Sequence, residues 1–247
     1  MRIFWKAIVT TTILVAVLFL TTSLRVEVKA ETSKIELSDV VLETLTSDDF
    51  VQAYKIVNEK LDVEKTSDAI LDQETIKALN QIYARKNRPL LKSSTGLPVS
   101  YNRLNSKEKG YAKSSPYQAG IVYNCSTAAT SMAGKYWVNG TADFHNGNAY
   151  RHALWNGMMS REMDATKAKK WADAHEYGQK GVATQMDLKN NATGRSRYAT
   201  LKANDGIWWR SPTYQEISND IMKQVTSGKL VRIVNGKLVK TNSAGKK

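Results

Sequence analysis

The chain has 247 residues, 36 lysines and arginines against 23 aspartates and glutamates, and a single cysteine. One cysteine excludes an internal disulfide framework, and no disulfide-linked partner is expected, so the fold must rest on its apolar core. The basic excess is uneven: residues 31–86 hold twelve acidic and seven basic side chains, residues 87–247 ten acidic and twenty-five basic.

The first thirty residues read as a targeting segment. Arg2 and Lys6 precede an uncharged run from Ala7 to Leu24, and Val28-Lys29-Ala30 puts small residues before a cut at Glu31. That order predicts a secretory signal peptide and a protein that is secreted or held at the cell surface. The alternative is an uncleaved anchor through residues 7–24, since about 18 apolar residues just span a bilayer.

Residues 31–86 read as an acidic helical segment. Phe50, Tyr54, Val57 and Leu61 recur at helical spacing with Ser47 placed to cap, and Ile76, Leu79 and Tyr83 repeat the pattern after Asp72. Residues 87–104, with two prolines and a glycine, predict a linker. Residues 105–247 then form a basic helical domain. "NSKEKGYAKSSP" predicts a short helix ending before Pro116, and Tyr117–Trp137 a longer one. Cys125 sits there among Ala128, Ala129 and Ala133, a composition that suits a tight helix crossing better than a nucleophile. "VNGTADFHNG" is turn-rich, Asn148–Met163 and Ala165–Tyr177 are helical, and "DLKNNATGR" reads as a polar turn. Ser211-Pro212 opens a further helix that Gly228 ends, and "LVRIVNGKLVK" predicts a hairpin about Asn235-Gly236. The fold expected is mainly α: a bundle-like helical domain with a small C-terminal β-hairpin, preceded by the signal peptide and the acidic segment. The charge split further suggests that the acidic segment packs on the basic domain and masks it.

The chemistry concentrates in the middle. His145, His152 and His175 fall within 31 consecutive residues. His152 and Asn156 share a helix face with Trp155 beside them. His175 and Glu176 lie about 100° apart on the next helix, so both lean toward one point. The short connection at Asp164-Ala165 sets His152 and His175 at similar heights, and Gly178 and Gly181 let the chain turn back toward Asp187. His152, His175 and Asp187 are therefore expected to converge on one ion or one water.

Imidazole with carboxylates is the ligand mixture that zinc, manganese or iron accepts, and such an ion activates water at neutral pH. His152, His175, Glu176 and Asp187 are the candidate catalytic and metal-binding residues, for one divalent ion. Arg151, Asn156, Asn190, Asn191 and Arg195 are the candidate anion-binding residues, with His145 and Trp155 supporting them. No HExxH spacing is present. Two readings stand side by side: a metal-dependent hydrolase of a phosphodiester or phospholipid, and a non-catalytic binding or toxin-like module whose polar cluster is a structural network. The basic charge points to an anionic membrane surface, wall polymer or nucleic acid as partner.

"HNGNAYRHALWNGMMSREM", "AKKWADAHE" and "MDLKNNATGR" resemble the HNGxxDAFRHAxWN, AHE and MDLxNNxxGR motifs of an uncharacterised bacterial domain family found in secreted and toxin-like proteins. The resemblance spans roughly residues 104–200. It implies a common site at His145, Asn146, Gly147, Arg151, His152, Trp155, Asn156, His175, Glu176, Asp187, Asn190, Asn191, Gly194 and Arg195, and no activity. Asn148 stands where the family carries aspartate; if that aspartate is a ligand or base, this copy's site would be weakened.

Overall fold

A computed structural model describes residues 36–86, 101–140, 142–206 and 210–247. The expected signal segment, residues 1–30, and most of the expected linker, residues 87–104, lie outside the described residues. Among those described the architecture is mainly helical with a C-terminal antiparallel hairpin. None of these helices is long and apolar enough to cross a membrane.

The acidic stretch forms α1 (Asp39–Thr44), α2 (Ser47–Lys60) and α3 (Asp68–Lys86). The cap of α2 is Thr46 rather than Ser47. Its backbone N–H and hydroxyl both donate to the buried Asp49 carboxylate, at 2.7 and 2.8 Å. Lys86, at the end of α3, completes that carboxylate's shell at 2.6 Å. Next come α4 (Ser106–Ser114) and α5 (Pro116–Tyr136), the latter with Pro116 in its first turn, where a missing N–H costs nothing. Phe50, Ala53 and Val57 of α2 share one apolar core with Ile121, Val122 and Cys125 of α5. Cys125 is fully buried, and burial pushes its thiol up to about 12, as suits packing rather than nucleophilic work.

The centre is α6 (Asn146–Glu162), packed by α5, α8 and α9. Every residue from Asn146 to Ser160 is buried except Arg151. A helix enclosed all round yet carrying asparagines, a histidine and a serine must find partners for each inside the protein, because water cannot serve them. That requirement builds the site described below.

After α7 (Ala165–His175), the segment expected as a polar turn lies inside α8 (Val182–Asn204), a 23-residue helix. Asn190, Asn191 and Gly194 are residues of turn chemistry, but α8 uses them for tertiary contact. Gly194 lets α8 meet the backbone of α6 at Ala153, while Asn191 hydrogen-bonds to α6 and Asn190 to the C-terminal hairpin. Propensity yields to packing here. α9 (Tyr214–Thr226) is capped by Thr213 rather than Ser211, because Thr213 and Glu216 form a reciprocal capping box. Gly228, at φ +71°, follows its end. The hairpin pairs β1 (Val231–Val234) with β2 (Lys237–Lys240) through Asn235-Gly236, both at positive φ. Asn190 clamps it to α8: its amide donates to the Val231 carbonyl at 2.9 Å and its Oδ1 accepts from the Val231 N–H at 3.0 Å.

Candidate metal centre

Three consecutive helices meet at one small pocket of about 210 Å³. α6 contributes Asn148, Arg151 and His152, the end of α7 contributes His175 and Glu176, and α8 contributes Asp187. Among the described residues, His152, Glu176 and Asp187 each offer one ligand atom, and these atoms lie within 4.8 Å of one another.

His152 is 3 % exposed. Arg151 Nη2 donates to its Nε2 at 2.9 Å, and Asp187 Oδ1 stands 3.4 Å from the same nitrogen. Asp187 Oδ1 is buried and has no hydrogen-bond partner among the described residues. Burial holds the imidazole well below its ordinary range, aided by the neighbouring positive charges of Arg151 and His175 and opposed by Asn191. Burial and the charge of Glu176 raise the Asp187 carboxyl to about 7, against the pull of Arg151 and His175. The two partners thus shift away from the charged states that an ion pair needs. Two electron-pair donors face each other across 3.4 Å, a placement that a proton or a cation relieves.

Glu176 caps α7 and is buried, which raises its carboxyl; Glu108 adds to the rise and His175 offsets part of it. His175 lines the pocket but stands outside the three-ligand group. Its Nδ1 is engaged by Glu108 Oε1 at 2.8 Å. Burial opposes the charged imidazole, but the hydrogen bond and charge of Glu108 outweigh it and raise the His175 pKa. The T-shaped contact of Trp155 with both imidazoles, at 6.4 and 5.5 Å between centroids, fixes their orientation, while the indole N–H donates to the Val122 carbonyl. His152, His175, Glu176, Asp187 and Arg151 are therefore brought to one pocket.

The asparagines and Arg195 stand elsewhere. Arg195 Nη1 donates to Asn156 Oδ1 at 2.6 Å, and Asn156 Nδ2 donates to Asn191 Oδ1 at 2.8 Å and to the His152 carbonyl at 3.2 Å. This chain runs behind His152, with both asparagines fully buried. Asn190 faces the hairpin. His145, exposed at the start of α6, lies outside the pocket lining.

Two participants were not named from the sequence. Glu108 holds His175 from 67 residues away; Asn105-x-x-Glu108 signals a capping box, but nothing local signals its second role. Asp143 lines the pocket beside Phe144, and its carboxylate accepts from Asn148 Nδ2 at 3.3 Å. Asn148 thus directs a neighbouring carboxylate at the position where the resembling family carries its own.

Fold and site together define a mainly helical domain built round a cluster of buried His152 and Glu176 with half-buried Asp187. Residues 109–229, just under half of the chain, match a family described as a domain of unknown function (DUF6973). That stretch contains His152, Glu176 and Asp187. No curated protein and no solved structure matches the chain.

Proposed function

We propose that the protein is a secreted metal-dependent hydrolase of an anionic substrate, a phosphodiester or phospholipid, like toxin-associated domains working outside the cell that makes it. The observation that carries this reading is the convergence of three ligating side chains, within 4.8 Å, on a pocket edged by an arginine. One imidazole and two carboxylates suit zinc, manganese or iron. Held by His152, Glu176 and Asp187, the ion would supply an activated water and polarise a phosphoryl oxygen. Arg151 would hold the substrate's anionic oxygens in its guanidinium fork. The basic balance of residues 87–247 would draw the protein to anionic lipid, wall polymer or nucleic acid.

The buried chain Arg195–Asn156–Asn191 behind His152 favours a second reading, a network that fixes helix packing without chemistry. A hydrolysis assay separates them. Residues 31–247, supplied with Mn²⁺ or Zn²⁺, will cleave bis(p-nitrophenyl) phosphate, and His152→Ala or Asp187→Asn will lower the rate by about 100-fold or more with the helical signal retained. Absence of ion-dependent turnover on phosphodiester and phospholipid substrates would favour the network.

A further inference from the structure

We infer that Arg151 caps the metal-binding lone pair of His152 in the ion-free protein, so that a divalent cation and an oxyanion enter this pocket cooperatively. The inference rests on the metal reading above.

Hydrogen-bond polarity fixes which His152 nitrogen is protonated. A guanidinium has donors and no acceptor. Arg151 Nη2, 2.9 Å from His152 Nε2, can only donate, so Nε2 presents its lone pair. Behind the ring, Arg195 fixes the orientation of the buried asparagines. Arg195 must donate to Asn156 Oδ1, which turns Asn156 Nδ2 toward Asn191 and makes Asn191 Oδ1 an acceptor. With Nε2 accepting from Arg151, neutral His152 carries its proton on Nδ1, a buried nitrogen with no hydrogen-bond partner among the described residues.

The same nitrogen, Nε2, lies 3.4 Å from Asp187 Oδ1, an oxygen with no hydrogen-bond partner among the described residues. A cation bridging Nε2 and Oδ1 must first displace the Arg151 donor from Nε2. Arg151 is the one residue between Asn146 and Ser160 that is not buried, so it has solvent-facing room to move. An oxyanion in the pocket offers the guanidinium a better acceptor and draws it off. Each ligand then removes an obstacle to the other, and linkage makes the gain reciprocal.

Titration of Mn²⁺ or Zn²⁺ into chelator-treated residues 31–247, with chloride or sulfate as the anion, tests this. Sulfate is expected to tighten metal binding by about 5-fold or more. Arg151→Met and Arg151→Ala are expected to bind metal several-fold more tightly than the parent without sulfate, and to lose the sulfate effect. Loss of a nearby positive charge alone would also tighten binding, so ¹⁵N imidazole spectra of the ion-free protein supply a second readout. In both variants the His152 Nε2 resonance should move toward an unbonded pyridine-type nitrogen while Nδ1 stays protonated. Metal binding by the parent with unchanged or weaker binding by the variants, or an unmoved Nε2 resonance, overturns the cap and leaves the metal site standing. Absence of metal binding by parent and variants alike overturns both.

Discussion

Gly194→Ala will destabilise the protein by about 3 kcal/mol or more and lower its melting temperature by about 6–12 °C. A Cβ at position 194 would stand 1.9 Å from the Ala153 carbonyl oxygen, 2.7 Å from its carbonyl carbon and 2.9 Å from its Cα. All three are backbone atoms of α6, so no rotamer change relieves the overlap and the helices must part. The same contact sets the distance between His152 and Asn156 on one helix and Asp187, Asn191 and Arg195 on the other. Metal affinity should therefore fall along with stability. Gly110→Ala is the control: it lies within α4 with nothing inside 4 Å of the added carbon, and should be neutral or slightly stabilising. Equal melting of the two variants by circular dichroism would refute the close crossing.

Asp187→Asn will behave in the opposite way in chelator-treated protein, raising stability at pH 8 by about 2 kcal/mol or more. The sign follows from linkage. The Asp187 carboxyl has its pKa raised to about 7 in the folded state, against an ordinary carboxyl in the unfolded chain. The folded form binds the proton more tightly, so the carboxyl's contribution to stability is fully present below about pH 4. It declines as pH rises from there and is lost above about pH 7. The neutral amide escapes this, so the two melting curves should coincide near pH 4 and separate between pH 4 and 7. A residue conserving packing would lose stability on substitution, whereas one held for ligand binding gains it. Denaturant melts across that range decide between these outcomes, and a less stable Asp187→Asn at pH 8 would assign the cluster to packing.

The hairpin was legible because Asn235-Gly236 is a local signal, and α5 and α6 because long runs rich in small and apolar residues, bounded by proline and turn-rich segments, leave little choice. Short connections between successive helices bring His152, His175, Glu176 and Asp187 to one pocket, but His175, engaged by Glu108, stands outside the three-ligand group where it was expected to share the ion. What escaped was tertiary. In α8, asparagine and glycine carry turn propensity in isolation, and only the facing backbone of α6 makes them helical. The caps at Thr46 and Thr213 were each displaced toward a neighbouring serine, although the acids three residues on, Asp49 and Glu216, mark the true cap. Glu108 reaches His175 through the docking of α4 on α7, which no spacing announces. Asn190, grouped by sequence with Asn191, points the other way because neighbouring helix positions face different partners: one braces the hairpin and the other stands behind His152.

The central claim is that His152, Glu176 and Asp187 hold one divalent ion. Isothermal titration of Mn²⁺ or Zn²⁺ into chelator-treated protein, alongside Glu176→Gln and Asp187→Asn, tests it most directly. The account predicts one ion bound per chain and loss of that binding in both variants, with their helical content unchanged. Failure of the parent to bind either ion, or binding that survives both substitutions, would contradict it.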